Sequence, residues 1–373
     1  RRPDGGHLLR SRLSHRVVAS TENRLRGSRL VGNLPDMPPL QLPAGFSSRP
    51  ATLDDVEVAV ELYNAADREF LAPGSRGYHN VDETRAEWTE PGFDLSTDTI
   101  LVLDANGRLA AYQESFTTPP HVRTIIWGRV LPEFRGLGIG STLLAWGEER
   151  ARRLIDRAPD GAAVDAQVWV YSDNANAVSL FEEHGFARTR YFHEMEIELT
   201  EAPAAQIWPE GLEIRPFVRE LHHRAANDAL HDSFKDHWGF ADADPEESFE
   251  RAEHHVNNNP NFDPRYYHVL WDGDEVAAIS FCYPRAENDP HKGLVGALGV
   301  RKAWRQRGLG LAILLHSFRV FWENDMQTVT LGVDAESLTG ATRLYEKAGM
   351  HSTKTMATYE KRLREGTDLR NRG

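Results

Sequence analysis

"RGLGIG", Arg135–Gly140, and "RGLGLA", Arg307–Ala312, are nearly the same hexamer, and their starts lie 172 positions apart in a chain of 373 residues. Each is preceded by an apolar run, "RTIIWGRV" at 123–130 or "LVGALGV" at 294–300, that reads as a strand. Each is followed by apolar residues at helical spacing: Leu143, Gly147, Ala151 and Leu154 in one case, Leu311, Leu314 or Leu315, Phe318 and Phe321 or Trp322 in the other. A glycine turn between a strand and a helix start leaves backbone N–H groups without intrahelical acceptors, and the positive end of the helix dipole lies behind them. Such a turn suits a phosphate, and glycine lets the anion approach closely. Neither hexamer is a dinucleotide G-x-G-x-x-G, because Ser141 and Ile313 hold the last place, and neither carries the Lys-Ser/Thr pair of a nucleotide P-loop. One such glycine pair would read as an ordinary loop. Two in the same context predict a duplicated anion-binding turn.

Working outward, the repeat extends over both halves. "GFSSRPATLDDVEVAVELYNAA" (45–66) and "GLEIRPFVRELHHRAANDAL" (211–230) align Arg49-Pro50 with Arg215-Pro216, each a short strand entering an amphipathic helix. "ILVLDANGRLAAYQESF" turns at Asn106-Gly107 and "YHVLWDGDEVAAISFCY" at Asp272-Gly273-Asp274, both hairpin signals. After the hexamer helix come a strand ("AQVWVYS" or "QTVTLGVD"), a helix ("NAVSLFEEHGF" or "GATRLYEKAGM") whose end is marked by Gly185 or Gly349, and a last strand ("FHEMEIEL" or "TKTMATYEKRL"). Each half reads β-α-β-β-β-α-β-α-β, with roughly 30 residues of mixed helix and loop before the hairpin. The expected division is a flexible basic extension at 1–44, a first domain at 45–200, a Pro-containing linker at 201–210, and a second domain at 211–365.

Composition agrees with two globular cores: 40% apolar residues, nine Trp, sixteen Phe and ten Tyr. Cys282 is the only cysteine, so no intrachain disulfide forms and a thiolate zinc site lacks partners. That usage, with no run of roughly 20 apolar residues, reads as a soluble cytoplasmic protein without a membrane partner. The net charge is −13, yet residues 1–36 hold eight Arg against Asp4, Glu22 and Asp36, which leaves −18 on the rest. So acidic a body argues against nucleic acid and for cationic, amine-bearing partners. The Arg- and Ser-rich opening has a transit peptide or a nucleic-acid arm as its sharper readings, but no aromatic residue is interleaved in it for the latter. Neither histidine pair, His222-His223 or His254-His255, has a third ligand at i, i+4, so no metal is expected.

The two halves resemble GNAT-superfamily acetyltransferases. The pyrophosphate signature Q/R-x-x-G-x-G/A of that family matches Arg135-x-x-Gly138-x-Gly140 and Arg307-x-x-Gly310-x-Ala312, with Val130 or Val300 ending the strand ahead. Its later N-x-x-A-x-x-x-Y element appears as Asn174, Ala177 and Phe181, then as Leu338, Ala341 and Tyr345. The tandem arrangement is similar to that of mycothiol synthase-like actinobacterial acetyltransferases. The fold this implies is α/β (α+β): two tandem domains, each a mixed, mostly antiparallel twisted sheet with helices on both faces and a splayed central strand pair.

The resemblance also implies chemistry. Acetyl-CoA is the expected cosubstrate, its pyrophosphate on the turns Arg135, Gly136, Leu137, Gly138, Ile139 and Gly140 or Arg307, Gly308, Leu309, Gly310, Leu311 and Ala312. Val130 or Val300 flanks the pantetheine, and Asn174 helps hold the cofactor. A backbone N–H in the splay stabilises the oxyanion. Tyr345 occupies the position of the proton donor to the departing thiolate, whereas Phe181 has no proton to give, so catalysis is expected in the second half. Family members often place a Glu on the strand before the hexamer, and neither half has one. Asp334, Glu336, His254 and His255 are the open candidates for the base. Phe234, His237 and Trp238 in "HDSFKDHWGF" are expected to wall an acceptor pocket, with core packing as the alternative. The function that follows is N-acetylation of a small-molecule primary amine. A peptide or protein amine and a non-catalytic acyl-CoA sensor are the alternatives, and self-association is left open.

Overall fold

The computed structural model describes residues 37, 39–71, 75, 77–337 and 340–372. Most of the 1–44 extension, and with it the readings of that segment, lies outside the described residues, as do Leu338 and Thr339. The first half runs β1 (Ser47–Arg49), α1 (Val56–Asp67), α2 (Val81–Trp88), α3 (Leu95–Asp98), β2 (Thr99–Leu103), β3 (Leu109–Thr117), β4 (Arg123–Val130), α4 (Ile139–Leu154), β5 (Val164–Tyr171), α5 (Ala175–Glu183) and β6 (Ala187–Glu198). The second runs β7 (Leu212–Arg215), α6 (Arg219–Phe234), α7 (Pro245–Asn258), β8 (Tyr267–Asp272), β9 (Glu275–Tyr283), β10 (Lys292–Val300), α8 (Leu309–Glu323), β11 (Thr328–Asp334), α9 (Ala341–Lys347) and β12 (His351–Arg364).

Local chemistry sets these limits. Asn80 caps α2 by accepting from the amides of Asp82 and Glu83, and Asp244 caps α7 ahead of Pro245. The hairpins close where expected, with Gly107 at φ 80° and Gly273 at φ 58°. Helices cover both faces. Tyr63 of α1 and Trp88 of α2 pack on one face of the first half, while Leu144 of α4 and Phe181 of α5 pack on the other.

Where two sheets were expected, one is found. All twelve strands form a single sheet in the order β1-β2-β3-β4-β5-β12-β6-β11-β10-β9-β8-β7. The last strand of each half has crossed over. β12 pairs with β5 along Met356–Arg364, β6 pairs with β11 along Phe192–Glu198, and the two exchanged strands pair with each other. Cores are shared accordingly: Ala357 and Tyr359 fill the first half's core, and Met195 fills the second's. The Pro-containing linker therefore separates the halves in sequence while hydrogen bonds join them through the middle of the sheet.

The chain after β12 strengthens this joint. Thr367 pairs with Ala162 of the first half, and Asn371 exchanges backbone hydrogen bonds with Gly239 and Phe240 of the second. Arg370, with its side chain 1% exposed, pairs with Asp165 and Glu360. Removing one partner of a buried ion pair costs about 3–5 kcal/mol. Deleting residues 366–373 is expected to lower stability by an amount of that order, read as a fall in the urea midpoint with the slope unchanged.

Candidate active site

Two splayed strand pairs organise the site. β4 and β5 run parallel and pair only over Arg123–Ile125 with Asp165–Gln167, then diverge. β10 and β11 do the same, pairing only over Lys292–Leu294 with Thr328–Thr330. Each wedge opens toward a glycine turn and a helix start.

The turns match in a register two residues away from the one the hexamers suggest. Gly138 and Gly308 are the corresponding helix caps, at φ 85° and 76°, and Gly136 corresponds to Gln306, at φ 77° and 62°. Arg135 donates from Nε to the carbonyl of Val130, and Arg305 does so to Val300. The second signature is thus Arg305-x-x-Gly308-x-Gly310. Arg307 stands exposed where the first half has Leu137, Gly308, Leu309 and Gly310 keep their places in the turn, and Leu311 and Ala312 lie within α8. The shared spelling "RGLG" misled the alignment; counting five residues from the strand-ending valine would have found the register. Ala312 makes the first intrahelical bond of α8, to Gly308, so the amides of Leu309, Gly310 and Leu311 have no acceptor within the helix.

The wedges differ in what fills them. In the first half Trp127, Arg129, Trp169 and Tyr171 project from β4 and β5, Phe70 stacks on Tyr171 at 4.9 Å, and Arg129 pairs with Asp67 at 2.5 Å. Burial works against the Asp67 carboxylate, but Arg129 and His79 outweigh it and hold the group far below the usual range. Met37, Leu40 and Leu42 pack near Ile139 at the first turn. In the second half Ala297, Gly299 and Gly332 stand at the positions corresponding to Trp127, Arg129 and Trp169. A cavity of about 1030 Å³ results, lined by Gly308, Leu309, Gly310 and Leu311 and by none of Arg135–Gly140. The ladder also differs. β3–β4 pairing runs unbroken from Ala111–Val130 to Thr117–Thr124, whereas β9–β10 shifts register between Val295 and Ala297 and leaves Gly296 as a bulge.

Tyr345, on α9, lines this cavity, and burial pushes its hydroxyl up to about 12. Phe234, His237 and Trp238 line it too, and the guanidinium groups of Arg190 and Arg372 lie over the Trp238 ring at 5.4 and 5.7 Å. Burial lowers the His237 imidazole. Asn174 caps α5 by accepting from Ala177, a local use that differs from holding a cofactor. Asp334 and Glu336 are both bound by Arg190, which occupies them as bases. Among the described residues one carboxylate cluster, Glu194, Glu196 and Glu287, has ligand atoms within 4.8 Å of one another, but Lys292 and Lys354 place ammonium groups among them. No helix among the described residues is long and apolar enough to cross a membrane.

A second, smaller cavity of about 260 Å³ lies on the α6–α7 side of the bulge and shares Arg123, Phe234, Gly296 and Ala297 with the large one. His223, His231, His254 and His255 line it. His223 of the first histidine pair and both members of the second thus face a cavity floored by the bulge, which their spacing alone did not signal.

Comparison with known proteins gives the same outline. Residues 59–186 and 227–350 match the Acetyltransferase (GNAT) family. A mycothiol acetyltransferase of Stackebrandtia nassauensis is 27% identical over 282 residues, covering 74% of this chain and 84% of its own. One from Geodermatophilus obscurus is 28% identical over 232 residues, covering 59% and 68%. The crystal structure of a GCN5-related N-acetyltransferase from Sphaerobacter thermophilus aligns with a TM-score of 0.72 at 31% identity, covering 88% of this chain and 98% of that one. A tandem GNAT protein from the clavulanic acid biosynthesis pathway shares the fold at a TM-score of 0.65 and 14% identity, covering 85% and 98%.

Proposed function

The chain belongs to the GNAT acetyltransferase family, and from that membership we propose that it moves an acetyl group from acetyl-CoA to a primary amine of a small molecule, using its second half. The observation that carries this reading is the asymmetry of the two wedges: only the second combines an open slot, a bulge and a tyrosine at the mouth. The amides of Leu309, Gly310 and Leu311 take the pyrophosphate, and the exposed Arg307 adds charge beside them. The unpaired edges of β10 and β11 beyond Leu294 and Thr330 receive the pantetheine by backbone pairing. A main-chain N–H at the Gly296 bulge, released from the ladder, donates to the thioester oxygen; one such donor contributes about 3–4 kcal/mol in the transition state.

Tyr345 gives its proton to the departing thiolate and recovers one from the nitrogen that has attacked, so the hydroxyl is restored within each turnover. The first half supplies a wall. Trp127, Trp169, Phe192 and Trp238 present rings to the acceptor side, suited to an amine carried on a body with an apolar or sugar-like face. The mycothiol acetyltransferase relatives support a small-molecule acceptor. Purified protein given acetyl-CoA and a panel of amines is expected to release CoA thiol with small primary amines, and calorimetry with CoA is expected to find one site per chain. Two sites would show that the first wedge opens, and binding without thiol release from any amine or peptide would identify a sensor.

A further inference from the structure

The residues that resemble the family leave the acceptor's proton without a destination, because the strand before the turn has no acid: Leu294 points at the α6–α7 face where a carboxylate could have stood. Directly across from Leu294 on β9 is Tyr283. Its ring lies against the bulge so tightly that a Cβ on Gly296 would come within 2.6 Å of Cε2. Tyr283 Oη is 3.0 Å from Tyr267 Oη and 3.4 Å from His255 Nε2. From these contacts, and resting on the transfer reading above, we propose that the acceptor, its body held by the rings of the larger cavity, reaches past Phe234 to the bulge where the two cavities meet, and that on the side of the 260 Å³ cavity Tyr283 passes the proton of its amine to His255.

The orientation of His255 is fixed by its neighbours. Asn259 Oδ1 accepts from the amide of Asn261 at 2.8 Å, which turns Nδ2 of Asn259 toward His255 Nε2 at 3.0 Å. An amide NH₂ only donates, so Nε2 carries the lone pair and the ring proton sits on Nδ1. Tyr267 can donate to Tyr283, leaving the Tyr283 proton aimed at the same nitrogen. In the step itself the ammonium N–H bond breaks, its proton passes to Tyr283 Oη, and the hydroxyl's own proton moves to His255 Nε2. The amine is left neutral with its lone pair free for the thioester. His255, half-buried on α7, returns the proton to water.

Charged groups around the pair are already committed to one another. On α2, Glu83 accepts from Asn261 at 2.6 Å and Glu87 lines the same cavity, and in the turn after α2 Glu90 pairs with Arg251 at 2.6 Å. On α7, Glu253 is bound by Arg219 and by His223 of α6. Arg123 of β4 lies between this cavity and the larger one, Arg370 lines it while paired with Asp165 and Glu360, and His231 and His254 also line it. None of these carboxylates is interposed between Tyr283 and His255.

The test compares Tyr283→Phe and His255→Gln with the parent chain. Phenylalanine is tolerable at 283, because Phe116 holds the corresponding strand position in the first half, and Gln at 255 keeps an acceptor for Asn259. Both variants are expected to bind CoA as the parent does and to lose about 100-fold in kcat near neutral pH. Their acid limb in kcat/KM should move up to the pKa of the free amine, so the deficit shrinks as pH rises, whereas loss of a purely structural contact would lower the rate equally at every pH. A parent chain that turns over while both variants stay within twofold of it, or fall by a pH-independent factor, overturns the relay. A parent chain with no turnover on any amine overturns the transfer reading and the relay with it.

Discussion

Tyr345→Phe is expected to lower kcat by about 100- to 1000-fold while leaving CoA affinity unchanged. The substitution removes one oxygen from a ring that packs in the second core, so the packing of α9 against β11 is kept. What is lost is the hydroxyl that α9 presents to the cavity, which the corresponding residue of the first half, Phe181, already lacks. Burial holds the Tyr345 proton up to about pH 12, above the range in which a primary amine titrates. Two readouts follow. Isothermal titration with CoA should give the parent's Kd, and a pH series should show no alkaline loss of the parent's rate that the Phe variant lacks. An unchanged kcat would move the proton donor elsewhere.

Gly332→Trp should abolish cofactor binding, by at least about 100-fold in Kd, which corresponds to roughly 3 kcal/mol of steric exclusion. Gly332 is exposed in the middle of a strand because the wedge beside it is empty. Its counterpart in the first half is Trp169, which packs on Phe192 at 4.6 Å in the same sheet. The fold therefore accepts an indole at this position on one side, and the thermal midpoint is the control. The mirror change, Trp169→Gly, is expected to leave CoA binding at one site, because Phe70, Arg129 and Asp67 still fill the first wedge. Retained CoA binding by the Gly332 variant would mean that the pantetheine runs elsewhere.

Much of this was legible in the chain. Hairpin glycines, the glycines that end α5 and α9 and the amphipathic helices on either side of each hexamer follow local rules, and the structure places those elements where the rules put them, whereas α2, α3 and α7 fall in stretches that read only as mixed helix and loop. Two features were not. The register of the second turn was hidden because Arg307 and Gly308 spell the same letters as Arg135 and Gly136, whereas the helix caps and the hydrogen bonds from Arg135 and Arg305 to the strand carbonyls set it two residues earlier. The crossing of β6 and β12 was hidden because a strand's sequence reports which face is buried, and a partner from either half satisfies the same alternation. Contrast between the wedges could have been read by setting "IIWGRV" against "VGALGV", where bulk on one side meets glycine and alanine on the other.

Strand exchange also orders events during synthesis. When residue 200 has left the ribosome, the partner of β5 is still some 150 residues from being made, and at about 5–20 residues per second that is a wait of roughly 8–30 s. Throughout it, the apolar flank Val164–Tyr171 is an open edge in a nascent chain. The first half cannot finish folding until the final fourteen-residue strand emerges, so a prematurely terminated product holds no completed unit.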